Sequence, residues 1–200
     1  QPSSTTVIDA AAHEAATSPR NDLPDPTPAQ KEAGNYQKGH VTIGGHEISI
    51  ENPAGSKRQP EWPALKDHYG YFKGTNAKDG DHVDVFVKPG TPEDYAGPVH
   101  VVRQNKVEKD WKAKVNGKQS PVNGSEPITG NRQPPTGATR VFDEYKVMLG
   151  YATPEEARAA YLRNYEPGWP GLERMTTHSA AEIDRIKASV FTVPADRVPG

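Results

Sequence analysis

Three carboxylates, Asp79, Asp81 and Asp84, fall within six residues of one another, directly behind Tyr69, Tyr71, Lys73 and Lys78. Unit charges about 4 Å apart repel by roughly 1 kcal/mol in water and about 4 kcal/mol at an effective dielectric of 20, so a fold that gathers three has a reason to. The usual reason is a hard divalent cation held by oxygen ligands. Lysines and tyrosines beside such a cation suit a phosphate-bearing substrate. The bland alternative, an acidic surface loop with Asp-Gly in its turn, stays open on these residues alone. A calcium loop of the EF-hand kind does not fit. Counting from Asp79, the sixth position is Asp84 rather than glycine and the twelfth is Gly90 rather than glutamate.

Two further groups could reach the same pocket. Glu51 and Arg58 flank the bend at Pro53-Ala54-Gly55, and an arginine fork matches phosphate oxygens bidentately. Phe142-Asp143-Glu144-Tyr145-Lys146 sets two carboxylates and an amine at the start of an apolar run. His82 lies inside the acidic cluster, where it would orient a carboxylate or sit at the rim. Trp62, Trp111 and Trp169 read as packing or rim residues, and His40, His46 and His68 lack zinc-ligand spacing.

Strands and turns must position these side chains. His40-Val-Thr-Ile43 and His46-Glu-Ile-Ser-Ile-Glu51 alternate on either side of Gly44-Gly45, which predicts a β-hairpin. Val41 and Ile43 share one face of the first strand, Ile48 and Ile50 one face of the second, and Glu51 falls opposite the isoleucines. Further strands are predicted over 69–73, 83–87, 99–102 and 141–149. In the 83–87 strand, Val83, Val85 and Val87 point inward while Asp84 and Phe86 take the other face. Thr153-Pro-Glu-Glu156 opens a helix whose inner face carries Ala157, Ala160, Tyr161 and Tyr165. Ser179-Ala-Ala-Glu182 opens another, with Ile183, Ile186 and Val190 in one stripe. Short strands followed by helices predict a mainly β (α+β) fold, a small β-barrel with helices packed outside it.

The composition sets the limits. Only 33% of residues are hydrophobic, so part of the length is expected outside a packed core. Residues 1–34, rich in Ala, Ser, Thr, Pro and Asp, read as a linker or disordered arm that could carry a short helix over 7–16 but that nothing requires to pack in a core. Residues 35–192 read as the domain, with a polar, Gly- and Pro-rich insertion at 105–140 containing an Asn116-Gly117 turn, and residues 193–200 as a tail. A net charge of −2 argues against a dedicated nucleic-acid or membrane-surface binder. With no cysteine, disulfides and thiolate metal sites are excluded. No apolar run approaches the ~20 residues of a membrane span. The start at Gln1, without a methionine or a signal pattern, reads as a trimmed piece of a longer polypeptide.

The block Tyr69-Gly70-Tyr71, Thr75, Asp79-Gly80-Asp81-His82-Val83-Asp84 resembles the signature of soluble family I inorganic pyrophosphatases. The chain is more similar still to the pyrophosphatase-like domain of large phage and mobile-element proteins. The stretches that carry this are 34–41, 50–58, 142–151 and 165–169, within a resemblance covering about residues 34–190. It implies a five-stranded OB-like barrel with flanking helices. It also implies that Asp79 and Asp84 bind activating Mg²⁺, with Mn²⁺ as an alternative ion, and that Asp81 is the base beside the nucleophilic water. Glu51, Asp143 and Glu144 match further metal-binding positions, and Arg58, Tyr69, Lys146 and Tyr165 match phosphate contacts. Three departures stand out: His82 replaces a usual proline, Ser49 a usual lysine, and Glu166 the lysine after the late tyrosine. The Glu51–Arg58 spacing is also shorter than in the cellular enzymes.

The expected activity is Mg²⁺-dependent hydrolysis of pyrophosphate to two phosphates, within a larger phage- or mobile-element-type protein in the cytoplasm of a bacterial or infected cell. The rivals are hydrolysis of a nucleotide polyphosphate, with 105–140 as a specificity lid, and a barrel that binds metal or phosphate without turnover. Other domains of the parent polypeptide are the expected partners, with oligomerisation left open.

Overall fold

The alternation along residues 39–52 folds as its period requires. β1 (Gly39–Ile43) and β2 (His46–Asn52) pair antiparallel with Ile43 opposite His46, and Gly44 and Gly45, both at positive φ, form the two-residue turn. Val41, Ile43, Ile48 and Ile50 are buried, as predicted. The computed structural model describes residues 5–73, 82–113 and 141–189. Thr75, Lys78, Asp79, Gly80, Asp81, the Asn116-Gly117 turn, insertion residues 114–140, Val190 and the 193–200 tail lie outside the described residues.

β3 (His68–Phe72), β4 (Asp84–Val87), β5 (Val99–Asn105), β6 (Phe142–Leu149) and β7 (Leu172–His178) complete one sheet in the order β1-β2-β3-β4-β6-β5-β7. β4 and β6 run parallel, and the remaining ladders are antiparallel. The fold is therefore mainly β, but the expected five-stranded barrel is replaced by a seven-stranded sheet. No ladder among the described residues joins β1 to β7. The strand that periodicity does not reveal is β7, whose Leu-Glu-Arg-Met-Thr-Thr-His run is half-exposed and polar. It occupies the outer edge of β5.

Period-two alternation divides the apolar residues between two faces. One face gathers Val41, Ile43, Ile48, Ile50, Phe72, Val85, Val87, Val99, Val101, Val147 and Leu149 into a core closed by Ile8 and Ile183. The other gathers Tyr69, Phe86, Val102 and Met148 against Ala157, Ala160 and Tyr161 of α3 (Pro154–Arg163). Thr153 caps α3 by accepting from Glu156 N, with Pro154 in the first turn. Ser179 and Glu182 close the predicted capping box before α4 (Ala180–Ser189), since each backbone N–H meets the other's side chain. No described helix is long and apolar enough to cross a membrane.

Within residues 1–34, expected as a linker or disordered arm, the helix allowed over 7–16 forms and packs against the sheet. α1 (Val7–Ala12) buries Ile8, Ala11 and Ala12 in the core. A Cβ on Gly39 would stand 1.9 Å from the Ala11 carbonyl oxygen, so the α1 backbone lies directly on β1. Alanine dominates the buried face, which leaves no contrast for a periodicity argument to detect. His68 Nε2 donates to Asp9 Oδ1 at 2.8 Å and ties α1 to β3. A second short helix, α2 (Pro28–Ala33), follows. It has a Thr27–Gln30 capping box, proline in the first turn and Gly34 at its left-handed C-cap, yet it buries no side chain.

Candidate active site

The same alternation that builds the core aligns the polar chemistry. Glu51, Tyr69, Tyr71, Asp84, Glu144 and Lys146 share the strand parity of Phe86 and Met148, and so face away from the valine and isoleucine core. Cross-strand register brings them side by side. Tyr71 is opposite Asp84, Asp84 opposite Lys146, and Gln104 opposite Glu144. Glu51 sits where the β2–β3 register shifts, between Ile50 and Asn52, a local irregularity that re-aims a side chain. The strands approach closely here: a Cβ on Gly70 would lie 1.9 Å from the Ser49 carbonyl oxygen. Only glycine fits between the two tyrosines.

Lys146 is the hub. Its ammonium is 1% exposed and donates to Tyr69 Oη, Asp84 Oδ2 and Glu144 Oε1, each at 2.7 Å. Three acceptors use all three of its N–H groups. Tyr69 Oη in turn donates to Asp84 Oδ2 at 2.5 Å. Arg58 stacks on the Tyr69 ring at 4.1 Å and reaches toward Trp62 at 5.2 Å.

These contacts set the charge states. Burial works to raise Asp84, but the Lys146 charge and hydrogen bond, the Tyr69 hydroxyl and Arg58 outweigh it and hold the carboxyl below its ordinary range. Burial also works to pull Lys146 down, and the Tyr69 and Tyr165 oxygens and the Asp84 carboxylate reverse it, keeping the ammonium charged. Tyr69 is pushed well up by burial against the pull of Lys146 and Arg58, so it remains a protonated donor. Arg58 is raised because Tyr69, Tyr165, Asp84 and Glu144 outweigh its burial. Glu51 is raised by burial and by Asp84. Glu144 is raised by burial and by Asp84 and Asp143, against Lys146. Two carboxyls held above their normal range beside a third that is ionised describe a site short of positive charge.

Together these residues line a cleft of about 590 Å³, whose walls include Glu51, Arg58, Tyr69, Tyr71, His82, Asp84 and Glu144. Five of the sequence-predicted site residues are thus brought together there, with Lys146 bound to three of them. Asp143 and Tyr165 stand further back, both hydrogen-bonded to Gln104: Gln104 Nε2 donates to Asp143 Oδ2 at 3.0 Å, and Tyr165 Oη donates to Gln104 Oε1 at 3.2 Å. Asp79 and Asp81 lie outside the described residues. His82 lines the cleft, stacked on Tyr71 at 4.3 Å. Ser49 is buried and bonded to His40 Nδ1 at 3.0 Å, while Glu166 is paired with Lys112.

Sequence reasoning missed the opposite wall. Thr17, Pro26, Pro28, Lys31, Glu32 and Tyr36, all from or beside the supposed arm, line the same cleft. Thr17 Oγ1 donates to the Glu51 carbonyl at 2.5 Å and pins that segment to the irregularity in β2. Thr27-Pro28-Ala29-Gln30 is itself a helix-start pattern that would have revealed α2. Gln104, which holds Asp143 and Tyr165, carries no signal of its own.

Among the described residues, no three acidic or histidine side chains converge tightly enough to hold a metal ion by themselves. Asp84 and Glu144 each have one oxygen tied to Lys146, and their other oxygens accept no hydrogen bond from a described residue. An all-oxygen donor set of this kind suits a hard cation.

A family profile described as Inorganic Pyrophosphatase matches residues 28–115 and 133–188. No curated protein matches the chain, and no solved structure does.

Proposed function

Because the chain belongs to the inorganic pyrophosphatase family, we propose that it hydrolyses pyrophosphate to two phosphates in a Mg²⁺-dependent reaction. The observation that carries this reading is the Tyr69–Asp84–Lys146 triangle, which opens with Arg58 and Glu144 onto one cleft. Asp84, Glu51 and Glu144 would hold magnesium, joined by Asp79 and Asp81 through their place in the motif. The bound cation would neutralise substrate charge and acidify the attacking water.

The chain's own residues do the remaining work. Arg58 binds a phosphate through its guanidinium fork. Lys146 fixes Asp84 and Glu144 against each other and offsets their charge. Tyr69 keeps its proton and holds Asp84 Oδ2 in place, and Asp81 accepts the proton of the attacking water. The water oxygen bonds to one phosphorus, the bridging P–O bond breaks, and the departing phosphate leaves from beside Arg58. Asp143 and Tyr165 support the site through Gln104.

The resemblance to a phage and mobile-element domain makes a larger parent polypeptide in a bacterial or infected cell part of this reading. Phosphate release from pyrophosphate, with and without magnesium, tests it, and the absence of magnesium-stimulated release would overturn it. A second reading, a nucleotide polyphosphate as substrate, draws on the size of the cleft. Nucleoside diphosphates and triphosphates assayed alongside separate the two.

A further inference from the structure

The cleft is lined by several carboxylates but, among the described residues, by only two permanent cations, Arg58 and Lys31. Lys146 does not add a third, because its three donors are already used by Tyr69, Asp84 and Glu144. Arg58 lies over the Tyr69 ring at 4.1 Å and near Trp62 at 5.2 Å, and among the described residues its guanidinium edge has no ion pair, which leaves it for one phosphate. A diphosphate presents two phosphoryl groups, and one arginine edge serves one of them. Ser49, buried and bonded to His40, offers no charge to the other.

Lys31 stands in the last turn of α2 and lines this cleft, and among the described residues its ammonium has no hydrogen bond or ion pair. α2 makes sense only as a support. It buries no side chain, yet its N-terminus is closed by a reciprocal capping box and its C-terminus by Gly34 at φ 66°. A six-residue helix is too short to hold itself in water, so its caps and its anchored flanks must keep it in place. On one flank, Thr17 is bonded to the Glu51 carbonyl, and Ala16 N donates to the Gln37 carbonyl at 2.9 Å. The segment between these ties and β1 is a strap across the mouth of the cleft.

We propose that Lys31 is a phosphate-binding, specificity-determining residue that contacts the phosphoryl group Arg58 does not hold. This rests on the hydrolase reading for its substrate but not for its test. With Lys31 and Arg58 lining one cleft, a doubly phosphorylated anion has a cation for each phosphoryl group, whereas a monophosphate uses only one. The competing explanation is a lysine that merely complements the C-terminal end of the α2 dipole.

Calorimetric binding of imidodiphosphate and of inorganic phosphate, in the presence of magnesium, distinguishes the two for Lys31→Ala, Lys31→Arg and Lys31→Glu. Lys31→Ala should weaken imidodiphosphate about tenfold and phosphate less. Lys31→Arg should stay within about threefold of the parent chain, and Lys31→Glu should lose more than alanine. If pyrophosphate is turned over, KM should rise with kcat within about twofold. Because α2 buries nothing, all three variants should melt with the parent chain. Unchanged imidodiphosphate affinity in Lys31→Ala, or equal losses in the arginine and alanine variants, would overturn the assignment. A parent chain that binds imidodiphosphate through Lys31 but releases no phosphate from pyrophosphate would sink the hydrolase reading alone.

Discussion

Lys146 and Asp84 sit directly opposite one another on the parallel pair β6 and β4, with Nζ 2.7 Å from Oδ2. The lysine is almost wholly buried. Removing one partner of such a pair leaves an uncompensated buried charge, which costs about 3–5 kcal/mol. Lys146→Met should therefore lower the urea-unfolding free energy by roughly 3 kcal/mol or more. Turnover should fall with it, because Asp84 and Glu144 would then repel without a cation between them.

Tyr69→Phe separates the hydroxyl from the ring. The ring keeps its stacking with Arg58 at 4.1 Å, but Asp84 loses a donor and Lys146 an acceptor. An unsatisfied buried group costs about 1–3 kcal/mol, and losing a partner of a metal ligand typically reduces activity or metal affinity about 10–100-fold. We expect both effects, read by denaturant unfolding and by a magnesium titration of phosphate release.

Arg58→Ala should act on substrate rather than on the carboxylates. The guanidinium makes no ion pair among the described residues and presents its face to Tyr69 and Trp62. KM for pyrophosphate should rise about tenfold or more while kcat falls less, since a charge-assisted contact is worth about 1.5–3 kcal/mol. Unchanged kinetics would remove Arg58 from the substrate-binding wall.

Much of this site is legible in the sequence because strand parity carries it. Once Ile48 and Ile50 are taken as core, Glu51 must face the other way, and Val83, Val85 and Val87 similarly dictate the face of Asp84. What parity cannot give is the partner across the sheet. The pairing of Asp84 with Lys146 needs β6 to insert between β4 and β5, a crossover with no local signature. It follows that Lys146, expected as a phosphate contact, has its donors directed to Tyr69, Asp84 and Glu144. The packing of residues 7–33 is less legible for a different reason. Their core contribution is Ile8 with small alanines, and their site contribution is a helix held by its caps and anchored flanks, so hydrophobic contrast is missing from both.

His13 at the C-cap of α1 and His68, bonded to Asp9 of that helix, predict a pH response. Ala54 N donates to His68 Nδ1 at 3.0 Å while Nε2 donates to Asp9, which fixes His68 as neutral. Burial pushes His68 below its ordinary value despite Asp9, and it lowers His13 in the same direction with help from Arg20 and His68. A lowered histidine binds fewer protons in the folded chain than in the unfolded one. Its contribution is therefore complete above the unfolded value near 6.5 and declines as pH falls toward the folded one. Stability should fall by at most about 1.4 kcal/mol per pH unit for each histidine in that window. Hydrogen exchange of residues 7–16 should accelerate there before the sheet amides do. His68→Gln should flatten the response, and an unchanged profile would show that His68 does not control it.

Thr17→Val tests whether the N-terminal strap positions the site or only covers it. Thr17 Oγ1 donates to the carbonyl of Glu51, the residue at the β2–β3 register shift, at 2.5 Å. Valine preserves the branched shape and removes the donor, leaving that carbonyl without its strap partner. Stability should fall by about 1 kcal/mol. If Glu51 is held in place through its backbone, the magnesium concentration for half-maximal phosphate release should rise several-fold while KM for pyrophosphate changes little. The opposite split, KM raised with magnesium activation intact, would mean that Thr17 serves only to place α2 and Lys31 over the cleft. A variant with both parameters unchanged would show that Glu51 keeps its position without the strap.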